Sequence, residues 1–233
     1  MRGLGDEPYY PVFLDLRGRL AVVIGGGSVA EGIIVSLLRY GADVLVIAPD
    51  VTPAVDALVA EGLIDHEERG YVRGDLAGAF IVYSATDSVE VDRAVYQEAE
   101  GQGCLVSVAE EPVLCNFVTP SVVNRGLLQI AVSTSGVAPE LAKRLRRELE
   151  DRFDGHWESY LQVLAAVRTL AEARLVKRGE IDALMHAIVD SDLCDRVISG
   201  QEPAAEDVFR EFVFGDPRTD SDVGVPAVPG TQS

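Results

Sequence analysis

The chain has 233 residues, of which 48% are hydrophobic and 25% charged, enough apolar content for one good core or two small ones and too ordinary a composition for a disordered or fibrous protein. Its 20 basic and 38 acidic side chains leave a formal charge of -18, which repels a nucleic-acid backbone or an anionic membrane surface, so neither is expected as a partner. Cys104, Cys115 and Cys194 are odd in number, widely spaced and without the C-x-x-C or histidine spacing of a structural zinc site, and they read as reduced thiols. The acidic start, Met1 to Glu7, contains no apolar run that serves as a secretory signal, and the longest apolar stretches are strand-sized. A soluble, cytoplasmic protein is expected.

Leu20–Ile24 is a continuous apolar run of the kind that forms a parallel strand buried on both faces, and it leads straight into three glycines. Residues 29–40 carry Val29, Ile33, Leu37 and Leu38 at helical spacing, with Gly41 placed for a left-handed C-terminal cap. A second buried strand follows at 44–47, ended by Ala48-Pro49-Asp50, after which Val55, Leu58, Val59 and Leu63 recur as a helix requires. A strand at 80–83, a helix at Val89–Gln102 and a strand at Leu105–Val108 continue the alternation, which predicts a parallel sheet with helices on both faces.

After Pro112 the pattern changes. Residues 121–123 and 127–132 read as two strands joined through an Asn124-Arg125-Gly126 turn, an antiparallel element that marks a second substructure. Pro139 suits the first turn of a helix and Glu140 its positive end. Further helices are predicted at 157–177, 180–190 and Ala205–Phe214, and residues 215–233, rich in Gly, Pro, Ser, Thr and Asp, as a disordered tail.

The strongest chemical signal is Gly25-Gly26-Gly27-Ser28-Val29-Ala30, a G-x-G-x-x-A pattern directly after a buried strand and directly before a helix. Gly25 permits the tight turn, Gly27 lets the backbone approach a pyrophosphate, and small Ala30 allows close helix packing with the helix N-terminus toward the phosphates. A glycine turn without a ligand is the plain structural alternative. Asp50 follows the second strand where an acidic side chain accepts from the adenosine ribose and repels a 2′-phosphate, which favours NAD over NADP; the competing role is a cap for the helix that follows. Glu110 and Glu111 stand just beyond the Leu105–Val108 strand, at the carboxyl edge where such sheets bind ligands, and either can serve as a general base. His66, His156 and His186 have no i, i+4 pairing, so no metal site is expected. Trp157 and Tyr160 read as packing residues.

These segments, taken in order with Tyr10-Pro11-Val12-Phe13-Leu14-Asp15-Leu16, Ala85-Thr86-Asp87, Phe117-Val118-Thr119-Pro120-Ser121 and the run from Ile130 to Pro139, resemble the precorrin-2 dehydrogenase and sirohydrochlorin ferrochelatase family over about residues 10 to 150. The resemblance implies an α/β architecture: a Rossmann-type parallel-sheet domain over 1–114, a small α+β dimerisation domain over 115–150 that pairs two subunits into a homodimer, and a helical C-terminal domain over 151–214. It implies NAD-dependent oxidation of precorrin-2 to sirohydrochlorin in siroheme, that is tetrapyrrole, biosynthesis. Ser28, Val29, Pro49 and Asp50 match the family's cofactor contacts and, with Gly25 and Gly27 of the glycine motif and Thr86, make up the cofactor-binding set; Glu110 stands where the family usually has its catalytic aspartate, with Glu111 as understudy. Arg125, Ser133, Thr134 and Ser135 are the expected substrate contacts, since the macrocycle bears many carboxylates.

The sequence departs from the family at three places: Glu110 for aspartate, Ser107 where asparagine is more usual, and Glu31-Gly32-Ile33 where basic residues commonly follow the glycine turn. One added methylene moves a carboxylate by roughly 1.5 Å, yet both acids accept a proton with similar reference acidity. Two rival readings stay open at this level. The same cleft can also insert ferrous iron into sirohydrochlorin as a lyase-type second activity, or the chain can be a non-catalytic module that senses NAD or tetrapyrrole. Lys143, Arg144, Arg146 and Arg147 are either a cationic substrate surface or a helix face balancing Glu140, Glu148 and Glu150.

Overall fold

The computed structural model describes residues 8–109, 111–175 and 177–215. The chain forms two compact units, one running to Pro120 and taking in Ser133–Leu141, the other comprising Ser121–Val132 and the chain from Ala142 on.

The first unit is built on β1 (Leu20–Ile24), β2 (Asp43–Ile47), β3 (Asp65–Glu67), β4 (Ile81–Ser84) and β5 (Leu105–Val108), all parallel, in the order β3-β2-β1-β4-β5. Ala21, Val22, Val23 and Ile24 in the central strand are all buried, as a strand covered on both faces requires. Two apolar layers enclose it. One joins Ala21 and Val23 to Ala30, Ile34 and Leu37 of α1 (Ser28–Arg39) and Val55 of α2 (Pro53–Ala60); the other joins Val22 and Ile24 to Leu76 and to Val95 and Ala99 of α3 (Val89–Gln102). Each Val, Leu or Ile among them is worth about 1.5 to 3 kcal/mol when taken out of water, so sheet and helices stabilise one another. The chain steps outward from β1 to β3 and then returns to β4 on the other side, which places the topological switch between β1 and β4.

Helix boundaries follow local chemistry. Thr52 caps α2, its hydroxyl accepting from the Val55 N–H at 3.3 Å, and Ser88 caps α3 by accepting from Val91 N–H at 3.4 Å. Gly41 (φ 74°) and Gly103 (φ 73°) take the left-handed conformation just past α1 and α3. The Thr52 cap displaces the alternative in which Asp50 caps α2: the residue one position before Pro53 is the one whose hydroxyl reaches the free N–H. β3, a 3-10 turn at Pro112–Leu114 and, in the second unit, a short helix at Leu193–Ile198 have no counterpart among the expected elements. β3 is the short polar triplet Asp65-His66-Glu67 at the edge of the sheet, too short and too polar to show an apolar period.

In the second unit, β6 (Ser121–Arg125) and β7 (Leu128–Val132) form an antiparallel hairpin. The turn begins two residues later than the Asn124-Arg125-Gly126 expectation: Arg125 pairs with Leu128, leaving Gly126 and Leu127 as the loop. Gly126 at φ 60° supplies the positive dihedral that a two-residue hairpin of the right-handed twist needs at its first position, so Asn124 and Arg125 remain in the strand. The Arg125 guanidinium donates to the Asn124 carbonyl at 2.9 Å and to the Glu150 carbonyl at 3.2 Å near the end of α4 (Pro139–Arg152). The remaining helices are α5 (His156–Arg174), α6 (Arg178–Val189), α7 (Leu193–Ile198) and α8 (Ala205–Phe214). Tyr160, Val167 and Ala171 of α5, Ile181, Leu184 and Ile188 of α6, Leu193 and Val197 of α7, and Val208 and Phe209 of α8 share one core. Trp157 stacks edge-on against Tyr160 at 6.0 Å and Phe153 at 5.0 Å, so both aromatics pack as expected. The expected tail lies outside the described residues from position 216 on.

Candidate functional site

Three loops meet at the carboxyl ends of β1, β2 and β4. Gly25, at φ 112°, lies so close to the loop after β4 that a Cβ there would stand 2.2 Å from the Ala85 carbonyl oxygen, and a Cβ on Gly26 would stand 2.2 Å from the Asp50 carbonyl oxygen. Backbone hydrogen bonds fix the junction: Ala85 N–H to Ile24 O at 2.8 Å, Gly25 N–H to Ile47 O at 3.0 Å, and Thr52 N–H to Gly26 O at 3.0 Å. Gly25 and Gly26 are therefore demanded by the protein's own packing.

Gly27 is different. It has an ordinary extended backbone (φ -78°, ψ -173°), and a Cβ there would meet no protein atom within 4 Å. It is also the N-cap of α1 and contributes no side-chain cap, so the first N–H groups of the helix lack the partner a Ser or Asp would give. Gly27, Ser28 and Val29 are exposed while Ala30 is buried against the sheet. Bare backbone donors, the positive end of a helix and space where a side chain is missing fit a dinucleotide pyrophosphate. These residues fit the dinucleotide that the motif implies.

Pro49 and Asp50 are exposed in the loop after β2, with the Asp50 backbone against Gly26. Thr86 is half-buried after β4, and its hydroxyl is spent internally: it lies 2.9 Å from Asp92 Oδ1 and accepts from Ser88 N–H at 3.2 Å. Asp92 is buried in the first turn of α3 and also accepts from the Ser84 hydroxyl at 2.6 Å. This carboxylate ties the end of β4 to α3 and so holds the loop that Gly25 abuts. Among the expected cofactor residues, then, the fold gathers Gly25, Gly27, Ser28, Val29, Pro49, Asp50 and Thr86 around one junction.

Glu110 lies outside the described residues. Its neighbours show where the segment leaves the sheet: Ala109 N–H donates to Ser84 O at 2.9 Å, and Glu111, half-buried, opens the 3-10 turn with its carbonyl accepting from Leu114 N–H at 2.8 Å. The chain then returns along β5, where Asn116 imitates a neighbouring strand. Its side-chain oxygen accepts from Val106 N–H at 2.8 Å and its amide nitrogen donates to Cys104 O at 2.9 Å. Cys115 Sγ accepts from Val108 N–H at 3.2 Å. Ser107 stands half-buried in β5, 3.7 Å from that sulfur.

Ser133, Thr134 and Ser135 form a tight loop before α4. The Ser133 hydroxyl accepts from Ser135 N–H at 3.1 Å, and the Thr134 hydroxyl accepts from Ala138 N–H at 3.2 Å. Ser135 is held at φ 52°, the one non-glycine with a positive φ among the described residues, and Gly136 follows at φ 80°. A left-handed serine costs about 1 to 2 kcal/mol. Arg125 belongs to the helical unit and is anchored there to the α4 carbonyl end. On α4, Arg146 pairs with Glu150 and Arg144 with Glu148 at 3.4 Å, as the charge-balancing reading of that face expects.

Sequence reading gives no role to Gly26, Thr52 or Asp92, and marks Glu31 only as a departure from the family pattern. Gly26 was the free position of the pattern, and the Thr52 hydroxyl donates to Glu31 Oε2 at 2.8 Å across 21 residues, a pairing no local signal announces. Among the described residues no cluster of three or more His, Cys, Asp or Glu forms a metal site, and no helix is long and apolar enough to cross a membrane.

The family model for NAD(P)-binding proteins matches residues 12–121, and that for the central part of sirohaem biosynthesis proteins matches 125–152. The siroheme synthase of Methylobacillus flagellatus is 34% identical over 205 residues, 88% of this chain, and that of Nitrosococcus oceani 32% identical over 207 residues, 89% of this chain. The chain spans 44% of the length of each of these relatives. Among solved structures, SirC, a precorrin-2 dehydrogenase, superposes with a TM-score of 0.75 at 28% identity, covering 88% of this chain and 98% of SirC. The chain thus carries an NAD(P)-binding segment followed by a sirohaem-biosynthesis central segment, and it is similar to SirC and to part of the siroheme synthases.

Proposed function

We propose that the chain is an NAD-dependent dehydrogenase that oxidises precorrin-2 to sirohydrochlorin on the route to siroheme. The observation that carries this reading is the likeness to SirC, a precorrin-2 dehydrogenase, over nearly the whole of that chain. The open space at Gly27 and the uncapped start of α1 support it independently.

The oxidation removes a hydride and a proton from the macrocycle, and NAD, when bound, supplies the hydride acceptor. Gly25 shapes the turn, Gly27 leaves the backbone bare on the ligand side, and the backbone N–H groups of Ser28 and Val29 would hold the phosphates. Pro49 and Asp50 take the adenosine ribose, with the Asp50 carboxylate accepting from its hydroxyls; the Thr86 loop lines the β4 side. The carboxylate of Glu110 accepts the carbon-bound proton, with Glu111 as understudy. Arg125, Ser133, Thr134 and Ser135 are proposed to bind the substrate's carboxylates. The reading extends to a cytoplasmic homodimer paired through the hairpin region, free of membrane and nucleic acid, and ferrous iron enters only as a substrate of a second, metal-inserting activity.

The test is anaerobic. Purified protein is mixed with precorrin-2 and NAD, NADH formation and the tetrapyrrole spectrum are followed together, and ferrous iron is added afterwards. Sirohydrochlorin and NADH appearing in equal amounts are expected. NAD binding without any turnover would overturn the dehydrogenase reading in favour of a sensing module, and accelerated loss of the sirohydrochlorin spectrum on adding iron would extend it to chelation.

A further inference from the structure

The start of α1 carries a feature that deepens the reading of the glycine turn as an NAD site, and it rests on that reading. Glu31 lies in the first turn of α1, just past the exposed N–H groups, and its half-buried carboxylate accepts from the Thr52 hydroxyl at 2.8 Å. Thr52 is itself held on both sides: its N–H donates to Gly26 O at 3.0 Å, and its hydroxyl accepts from Val55 N–H at 3.3 Å. Asp50 stands two residues earlier, with its backbone against Gly26. The carboxylate on α1 is thus tied through Thr52 to the loop after β2 that also carries Asp50, and the backbone of that loop packs on the glycine turn. The partner of Glu31 is neutral and does not cancel its charge. The next residues of the helix are Gly32 and Ile33, whereas a site for NADP places an arginine near the ribose.

We propose that Glu31 acts together with Asp50 as a specificity determinant that excludes the 2′-phosphate of NADP. Asp50 rewards the ribose hydroxyls of NAD, and Glu31 adds a second fixed negative charge that a phosphate monoester meets and a hydroxyl does not. One uncancelled like charge beside a phosphate is worth roughly tenfold in affinity, more at low salt. Thr52 is a positioning residue, since its hydroxyl aims the Glu31 carboxylate and caps α2 at once.

The test is calorimetric titration of the full chain with NAD and with NADP, for the wild type, Glu31→Gln and Thr52→Ser, at low and high salt. In Glu31→Gln the ratio of NAD to NADP affinity is expected to fall about tenfold, with the change shrinking as salt rises. Thr52→Ser keeps the hydroxyl and is expected to keep the wild-type ratio. Glu31→Lys provides a second variant with a long stem for the same space, and its ratio is expected to move further toward NADP. An unchanged ratio in a folded Glu31→Gln or Glu31→Lys protein would overturn the assignment to Glu31 while leaving the NAD site intact. Failure of the wild type to bind either nucleotide would instead overturn the reading of the turn itself.

Discussion

Replacing Gly27 by alanine should separate binding from folding, whereas the same change at Gly25 should damage both. At Gly27 the backbone already has a conformation that any residue adopts, and the added methyl meets no protein atom within 4 Å. Alanine is a poorer N-cap than glycine by up to about 1 kcal/mol, and the lost freedom of the unfolded chain returns roughly 0.4 to 1 kcal/mol. The two nearly cancel, so the melting temperature should move by no more than about 2 to 4 °C. The methyl projects where the bare backbone is expected to approach a pyrophosphate, and NAD affinity should fall at least about tenfold, or 1.4 kcal/mol. At Gly25 the new Cβ would lie 2.2 Å from the Ala85 oxygen on a backbone at φ 112°. The β4 loop must then retreat by about 0.8 Å merely to reach the 3.0 Å closest approach of real Cβ atoms, at a cost of roughly 1 to 3 kcal/mol for overpacking and a similar sum for the backbone. Thermal melts and NAD titration of the two variants side by side make the assay. Wild-type NAD affinity in Gly27→Ala would refute the assignment of that space to the cofactor.

Glu110→Ala should lower the rate of precorrin-2 oxidation about 10²-fold or more with NAD binding retained, and Glu111→Ala should have a much smaller effect; steady-state kinetics with parallel NAD titration decide between them. Asp92→Ala leaves the buried Ser84 hydroxyl without its acceptor and frees the Thr86 loop, so a stability loss of about 1 to 3 kcal/mol in urea unfolding is expected, together with weaker NAD binding. Glu98 gives a pH prediction. Burial alone would raise its pKa, but hydrogen bonds from the Tyr71 hydroxyl and from the Gly74 and Leu76 N–H groups outweigh it and hold the carboxyl below its ordinary value. A depressed folded-state pKa means stability that is fully present above the unfolded value, about 4.3, and lost as pH falls through the folded one. The advantage of wild type over Glu98→Gln in urea unfolding should therefore be largest near neutral pH and shrink below about pH 4. An advantage that grows in acid would contradict the hydrogen-bond account.

Much of the first unit was legible because its signals are local. Leu20–Ile24, Val89–Gln102 and Leu105–Val108 were placed to the residue, since a buried parallel strand shows as an unbroken apolar run and Ser88 and Gly103 punctuate the helix between them. The glycine turn was legible for the same reason. What failed to show was non-local or weakly patterned. β3 earns its place by backbone pairing with β2, through residues too polar to reveal a period. The hairpin turn slipped because Asn124-Arg125-Gly126 contains good turn residues, whereas the pairing of Arg125 with Leu128 decided which of them turn.

By itself, then, the sequence determined the alternation of strands and helices, the glycine turn from Gly25 to Ala30 between strand and helix, and the family resemblance, because each is written in short-range order along the chain. Tertiary structure alone decided the division of labour within the glycine turn. Gly25 and Gly26 are small because the Ala85 and Asp50 loops press against them, while Gly27 faces open space. It alone joined Glu31 to Thr52 and Asp92 to Ser84 and Thr86. Contacts of this kind depend on where the sheet brings the ends of three separated strands, and that convergence follows from the packing of helices on both faces, which no window of sequence contains.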